Sequence, residues 1–191
     1  MRYTMVIAHP DDEVIFGWPV LKETKKIVCA SSDLYNPERA WCKERKKALQ
    51  EVGKLINAEI VCLDYNSEFY RANTRNGDLA KIQKDILAQL KGSDDYIFTH
   101  NAWGEYGHID HILVNQFLRK SNKKIFSTSI CLEAGWFSAQ SFLNQISLKS
   151  KEIDIMLYQE CKAIYDKYGC WTWSKEPITK VKIYENCNCV V

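Results

Sequence analysis

The chain has 191 residues, 46% of them apolar and 26% charged, and a formal net charge of +2. That length suits one folded domain, and the composition is that of a globular protein rather than a disordered or fibrous one. The near-neutral charge excludes nucleic-acid binding through a basic surface, and no apolar run reaches the roughly 18–20 residues that span a bilayer.

In chain order, residues 3–8 (YTMVIA) read as a strand and 13–23 as a short helix weakened by Gly17 and Pro19. Residues 27–31 (IVCAS) make a second strand. "PERAWCKERKKALQEVGKLI" is a helix, with Pro37 in its first turn and apolar residues recurring at Ala48, Val52 and Leu55. "AEIVCLD" is a third strand. "GDLAKIQKDILAQLKG" is an amphipathic helix with Leu79, Ile82, Ile86, Leu87 and Leu90 on one stripe and Gly92 just past its end. "DYIFTH" is a fourth strand, "HIDHILVNQFLRK" a helix and "KKIFSTSICLE" a fifth strand. This alternation predicts an α/β fold: a single-domain, Rossmann-like, three-layer structure with a mostly parallel sheet flanked by helices, over residues 1–191. The lysine runs "KETKK", "KERKK" and "KSNKK" read as solvated helix ends. The start of the chain is too short in apolar length for an export signal, so a cytoplasmic location is expected. The eight cysteines are then expected to be reduced thiols. Cys29, Cys62 and Cys131 sit in strand-like runs, and Cys187 and Cys189, one residue apart, make a poor zinc site alone.

In parallel sheets, ligands bind where strands end at their carboxyl side. The first strand empties into "HPDDE", the third into "LDYNSE" and the fourth into "THNAWGEYGHIDH". The four histidines of the chain, His9, His100, His108 and His111, all lie in the first and fourth of these segments. If those strands are neighbours, every imidazole meets on one rim. Imidazole and carboxylate are the ligands of catalytic zinc, which keeps one position open for water and lowers its pKa to about 7. His9 and Asp12 lie within one turn of each other. His108 and His111 are three apart at a helix start and share a face, so one or both can reach the same ion. The adjacent Asp11 and Asp12 can divide ligand and proton-acceptor duties, and an imidazole left over can face developing negative charge. Each of these acids has a plainer reading as a helix cap, but capping does not explain His9.

"AHPDDE" followed by "GEYGHIDH" resembles the LmbE-like or PIG-L superfamily of zinc-dependent de-N-acetylases, which remove acetyl groups from N-acetylglucosamine units and related amino sugars. The resemblance covers roughly residues 3–120 and leaves 132–191 as a more divergent part. It implies that His9, Asp12 and His111 bind Zn2+, that Asp11 is the general base, and that His108 and Tyr106 assist the tetrahedral intermediate. Asp110 orients a histidine from outside the ligand set, and His100 stands in the same outer position. The sequence departs from the family pattern at Ile109, where proline is frequent, and at Trp41, where an arginine precedes Glu44 by three residues; Arg39 or Arg45 stands in for it. Near the end, "AIYDKYGCWTW" has Tyr168 and no histidine where the family carries His and Gln.

The polar, aromatic loop 64–76 is the expected substrate wall, with Asp64 at its start and Arg71 and Arg75 free to meet a phosphate. Trp103 joins it as a substrate-facing aromatic, although Trp103, Trp136, Trp171 and Trp173 belong to a class more often found in cores or interfaces. The expected partner is a small amino sugar, with a homo-oligomer allowed and no nucleic acid or membrane span. Two other readings remain: the same His/Asp/His set could hold Fe2+ as in non-haem oxygenases, or a degenerate member could keep metal without turnover. No G-x-G-x-x-G follows the first strand, which argues against a dinucleotide enzyme.

Overall fold

Strand β1 (Tyr3–Ile7) is buried along its whole length, and its alternation defines the layers. Met5 and Ile7 point to one face of the sheet, Val6 and Ala8 to the other. The computed structural model describes residues 1–31, 40–67, 79–92, 96–132 and 149–186. After β1 come α1 (Asp12–Ile15), a 3₁₀ turn (Trp18–Glu23), β2 (Thr24–Ser31), α2 (Ala40–Ile56), β3 (Glu59–Tyr65), α3 (Leu79–Ala88) and β4 (Tyr96–Thr99). A kinked turn, α4 (Gly104–Gly107), leads into α5 (Ile109–Leu118) and β5 (Lys124–Thr128). Past the residues outside this description lie β6 (Lys149–Glu152), α6 (Ile155–Lys167) and β7 (Lys180–Glu185).

The seven strands form one sheet in the order β3-β2-β1-β4-β5-β7-β6. The first five run parallel, and β7 and β6 are added antiparallel. Helices α2 and α6 cover the face of Met5 and Ile7 through Ala48, Leu49, Val52, Tyr158, Cys161 and Tyr165. Helices α3 and α5 cover the other through Ile82, Ile86, Val114 and Leu118. This is the expected three-layer α/β fold. No helix among the described residues is long and apolar enough to cross a membrane.

Several boundaries differ from the sequence reading. The helix expected over 13–23 splits in two, because Gly17 brings the backbone against β1: a Cβ there would meet Glu13 O at 2.6 Å and the Met5 side chain at 2.7 Å. Strand β2 starts at Thr24, three residues before the expected 27. Leu79 is 38% exposed and leaves the apolar stripe, whereas Ile82, Ile86 and Leu90 are buried. Gly92 takes φ 72°, the left-handed conformation expected of a glycine past a helix end. The run "KERKK" is not wholly solvated, since Arg45 within it is buried. Cys131 lies beyond the end of β5. Cys29, Cys62, Cys161 and Cys170 are free thiols. Pro37, Arg39, Arg71, Arg75, Trp136, Cys187 and Cys189 lie outside the described residues.

Candidate active site and metal centre

Strands β1 and β4 are direct neighbours, with Thr4, Met5 and Val6 paired to Ile97, Phe98 and Thr99. The chain order reverses on either side of β1, so the two strand ends open a crevice at the switch point of the sheet. His9, Asp11 and Asp12 enter it from β1, His100 from β4, and His108 and His111 from the start of α5. The rings converge: His9–His108 centroids are 4.8 Å apart, His9–His111 5.5 Å, His108–His111 4.5 Å and His100–His111 3.7 Å. The "HPDD" turn is fixed locally by the Asp12 carboxylate, which accepts from His9 N–H at 2.8 Å. Asp11 sits at φ 90°, ψ −20°, a conformation that costs a residue with a Cβ about 1–3 kcal/mol and is held only where the surroundings enforce it.

Asp12 Oδ2 is the hub of the candidate metal-ligating groups. It lies 3.4 Å from His9 Nδ1, 3.5 Å from His111 Nε2 and 3.3 Å from His100 Nε2. Two zinc ligands at about 2.0–2.1 Å and tetrahedral angles stand about 3.3–3.4 Å apart, so the spacing of His9 and His111 from Asp12 fits one small cation. The outer hydrogen bonds orient the rings for it. His9 Nε2 donates to Asp110 at 3.0 Å and His111 Nδ1 to Glu105 at 2.8 Å, which turns His9 Nδ1 and His111 Nε2 toward Asp12. His111 Nε2 is buried with no hydrogen-bond partner among the described residues, a costly arrangement unless an ion uses the lone pair. Donor atoms of His9, His108 and His111 also lie within 4.8 Å of one another, as do those of Asp12, His100 and His111. His100 is held differently: its Nε2 accepts from Ala8 N–H at 3.0 Å and its Nδ1 faces Glu105 at 3.2 Å. With Nε2 engaged by Ala8 N–H, it braces the strand ends.

The electrostatics are those of a cation-binding pocket. Burial alone would lower the His9 imidazole, but Asp110 and Asp12 hold it up to about 9. Burial would raise the carboxyls, yet His111 and His100 hold Asp12 well below its usual value, and His100 and His111 hold Glu105 down to about 2.

Glu105 was absent from the sequence reading and is central in the structure. It is 1% exposed, accepts from Asn101 N at 2.9 Å and bridges both buried histidines. Its φ of 55° is again left-handed, and Asn101 Oδ1 anchors its N–H at 2.9 Å. The available signal was an acid between two glycines in "GEYG". Glu105→Gln puts an amide N–H against an imidazole N–H. It is expected to weaken divalent-cation affinity about 10- to 100-fold, as read by competition with a chromogenic chelator; unchanged affinity would remove Glu105 from this role.

Asp11 and His108 border the same open cleft of about 210 Å³, which Ile15, Phe16, Trp41 and Trp173 help to line. Asp11 Oδ1 accepts from Arg45 Nη2 at 2.9 Å, and Oδ2 accepts from the Thr172 hydroxyl. Burial pushes its carboxyl up to about 6, with Arg45 opposing. Its N–H donates to Tyr165 Oη at 2.8 Å and to Glu13 Oε2 at 3.0 Å. Tyr165 in turn donates to Glu13 Oε1 at 2.7 Å, and burial pushes the Glu13 carboxyl up to about 8. Arg45, read from the sequence as a substitute substrate anchor, instead grips Asp11 and the Pro10 carbonyl and lies under the Trp41 ring at 5.0 Å.

His108 caps α5, its Nδ1 accepting from Asp110 N–H at 3.2 Å, so its proton sits on Nε2. Burial and the rings of His111 and His9 lower its pKa to about 4, leaving it a neutral donor. Tyr106 stands against His108 and His111, both at 5.6 Å, and burial with Asp12 and Glu105 nearby keeps its hydroxyl protonated.

Two expected substrate residues do not line this cleft. Trp103 is buried, with its Nε1 donating to Ile130 O at 2.8 Å and its ring stacked on Tyr184 at 6.1 Å. Asp64 faces solvent and pairs with Lys46 at 2.6 Å. Trp173, Thr172 and Ser67, none of them singled out as substrate residues from the sequence, line the cleft wall instead.

The model of the PIG-L family, described as GlcNAc-PI de-N-acetylase, matches residues 4–121. "Uncharacterized protein L374" of Acanthamoeba polyphaga mimivirus is 30% identical over 132 residues, which are 62% of this chain and 56% of that protein; the match thus spans little more than half of that relative. Among solved structures, the zinc inhibited form of teicoplanin deacetylase Orf2 superposes with a TM-score of 0.64 at 10% identity, over 98% of this chain and 99% of that one. The N,N'-diacetylchitobiose deacetylase from Pyrococcus horikoshii gives 0.56 at 17% identity, over 90% and 71%. At these identities the structural likeness speaks for the fold.

Proposed function

The chain belongs to the PIG-L family, and from that premise we propose that it is a metal-dependent hydrolase of N-acetylated amino sugars. The substrate is of the GlcNAc type or a conjugate of it, and the products are acetate and a free amine. The observation that carries this reading is the single crevice where Asp12 Oδ2 stands 3.4 Å from His9 Nδ1 and 3.5 Å from His111 Nε2 and Asp11 and His108 line the same cleft. His9, Asp12 and His111 would hold the ion, which we take to be zinc. Bound there, it supplies a Lewis acid for the acetamide carbonyl and a lowered pKa for the attacking water.

The remaining steps belong to the chain. Asp11, within the cleft and fixed by Arg45, takes a proton from water as its oxygen bonds to the acetyl carbon. His108 Nε2–H and the Tyr106 hydroxyl donate to the oxygen that gains negative charge. Asp11 then returns the proton to the nitrogen as the C–N bond breaks. Phe16, Trp41 and Trp173 narrow the cleft around the sugar. The Fe2+ oxygenase reading is disfavoured, because those enzymes usually sit on a double-stranded β-helix and this site is built on a mixed α/β sheet.

The test is a panel of N-acetylated hexosamines and their conjugates, assayed for released primary amine. Amine release that stops with chelator and returns with added zinc is the expected result. No release from any acetamide by the zinc-loaded protein would overturn the proposal.

A further inference from the structure

The family match ends at residue 121, yet Asp11 is fixed by chain that follows it. Tyr165, 154 residues on, receives the Asp11 N–H, and Thr172, 161 residues on, donates its hydroxyl to Asp11 Oδ2. We propose that Thr172 is a positioning residue for the base, and that it makes Oδ2 of Asp11 the oxygen that carries the proton. This rests on the hydrolase reading above.

The chemistry of the two side-chain partners carries the inference. Arg45 holds Oδ1 at 2.9 Å and can only donate. A proton on Oδ1 would face that guanidinium. The Thr172 hydroxyl can donate to a carboxylate and, after rotating its hydrogen, accept from a carboxylic acid. Oδ2 therefore keeps a partner in both protonation states, and the carboxyl plane stays fixed through the cycle. The proton leaves water for Oδ2 as the water oxygen bonds to the acyl carbon. It passes from Oδ2 to the departing nitrogen as the C–N bond breaks, and Asp11 is a carboxylate again. Arg45 and Thr172 hold the side chain from two sides, while Tyr165 and Glu13 hold the backbone at Asp11 N. Thr172 also lines the cleft, so its hydroxyl meets Asp11 on the side where substrate enters.

The test uses full-length, zinc-loaded Thr172→Val and Thr172→Ser. Valine keeps the shape and removes the hydroxyl. It is expected to lower kcat about 10- to 100-fold, the cost of a misplaced catalytic group, with KM and zinc affinity unchanged; serine is expected to restore kcat. Wild-type kcat in Thr172→Val overturns the proposal. Equal losses in both variants, or zinc affinity falling in step with kcat, also overturn it, because they mark a packing role. Crystal structures separate this from failure of the hydrolase reading. If the wild type releases no amine from any acetamide, that reading fails. An Asp11 carboxylate that does not move in Thr172→Val then overturns the positioning role as well, and one that turns away from its place on Arg45 supports it.

Discussion

Asp11→Asn is expected to lower the rate of amine release by about 10²- to 10⁴-fold, the usual worth of a positioned proton acceptor, while the protein still binds one divalent cation. The cation and the base draw on different atoms. The proposed ligand set uses His9 Nδ1, Asp12 Oδ2 and His111 Nε2, whereas Asp11 engages Arg45 and Thr172. Asparagine is nearly the same size, and its carbonyl oxygen can still accept from Arg45. What it lacks is a basic oxygen at the second position. Activity and metal content measured on one preparation decide the matter. Full activity in Asp11→Asn would remove Asp11 as the base, and loss of metal would place it among the ligands.

His9→Ala is expected to lose both turnover and metal, a larger effect than Asp11→Asn. One imidazole nitrogen, the proposed ligand atom, faces Asp12, and the other donates to Asp110, which is fully buried. Alanine removes the ligand and deprives a buried carboxylate of a hydrogen-bond donor, which typically costs about 1–3 kcal/mol or more for a charged group. The variant should therefore also melt at a lower temperature in the presence of EDTA, where metal cannot contribute. Metal content after gel filtration, with the melting temperature in EDTA, gives the readout. Stoichiometric zinc in His9→Ala would show that His9 is dispensable to the site.

The strand ends could be read from the sequence because β1 and β4 are short apolar runs that stop at polar clusters, and because the histidines fall only there. Their convergence depended on β1 and β4 being neighbours, which the sheet order supplies. Arg45 was harder to read. It sits in a lysine-rich run, and its direction follows only from sharing a helical face with Ala48, Leu49 and Val52, which are buried with it. Glu105 was missed because a glycine-flanked acid looks like an ordinary loop, and its strained backbone has no sequence signature. Trp103 went the other way: its place beside the motif suggested substrate, but its indole N–H finds Ile130 O and its ring finds Tyr184. Tyr165 and Thr172 carry no local sign of their partners, since those are more than 150 residues distant.

That separation has a consequence for how the protein comes into being. A polypeptide emerging from the ribosome has its two histidine segments, and Arg45 to grip Asp11, in hand by residue 111, yet the contacts of Asp11 with Tyr165 and Thr172 wait until helix α6 and the residues after it have been synthesised and docked. Contacts of such long span are slow to form, because loop closure must be achieved before they give anything back. A nascent chain can thus gather its candidate metal-binding side chains early, while the last contacts that hold Asp11 form only once residue 172 has been made.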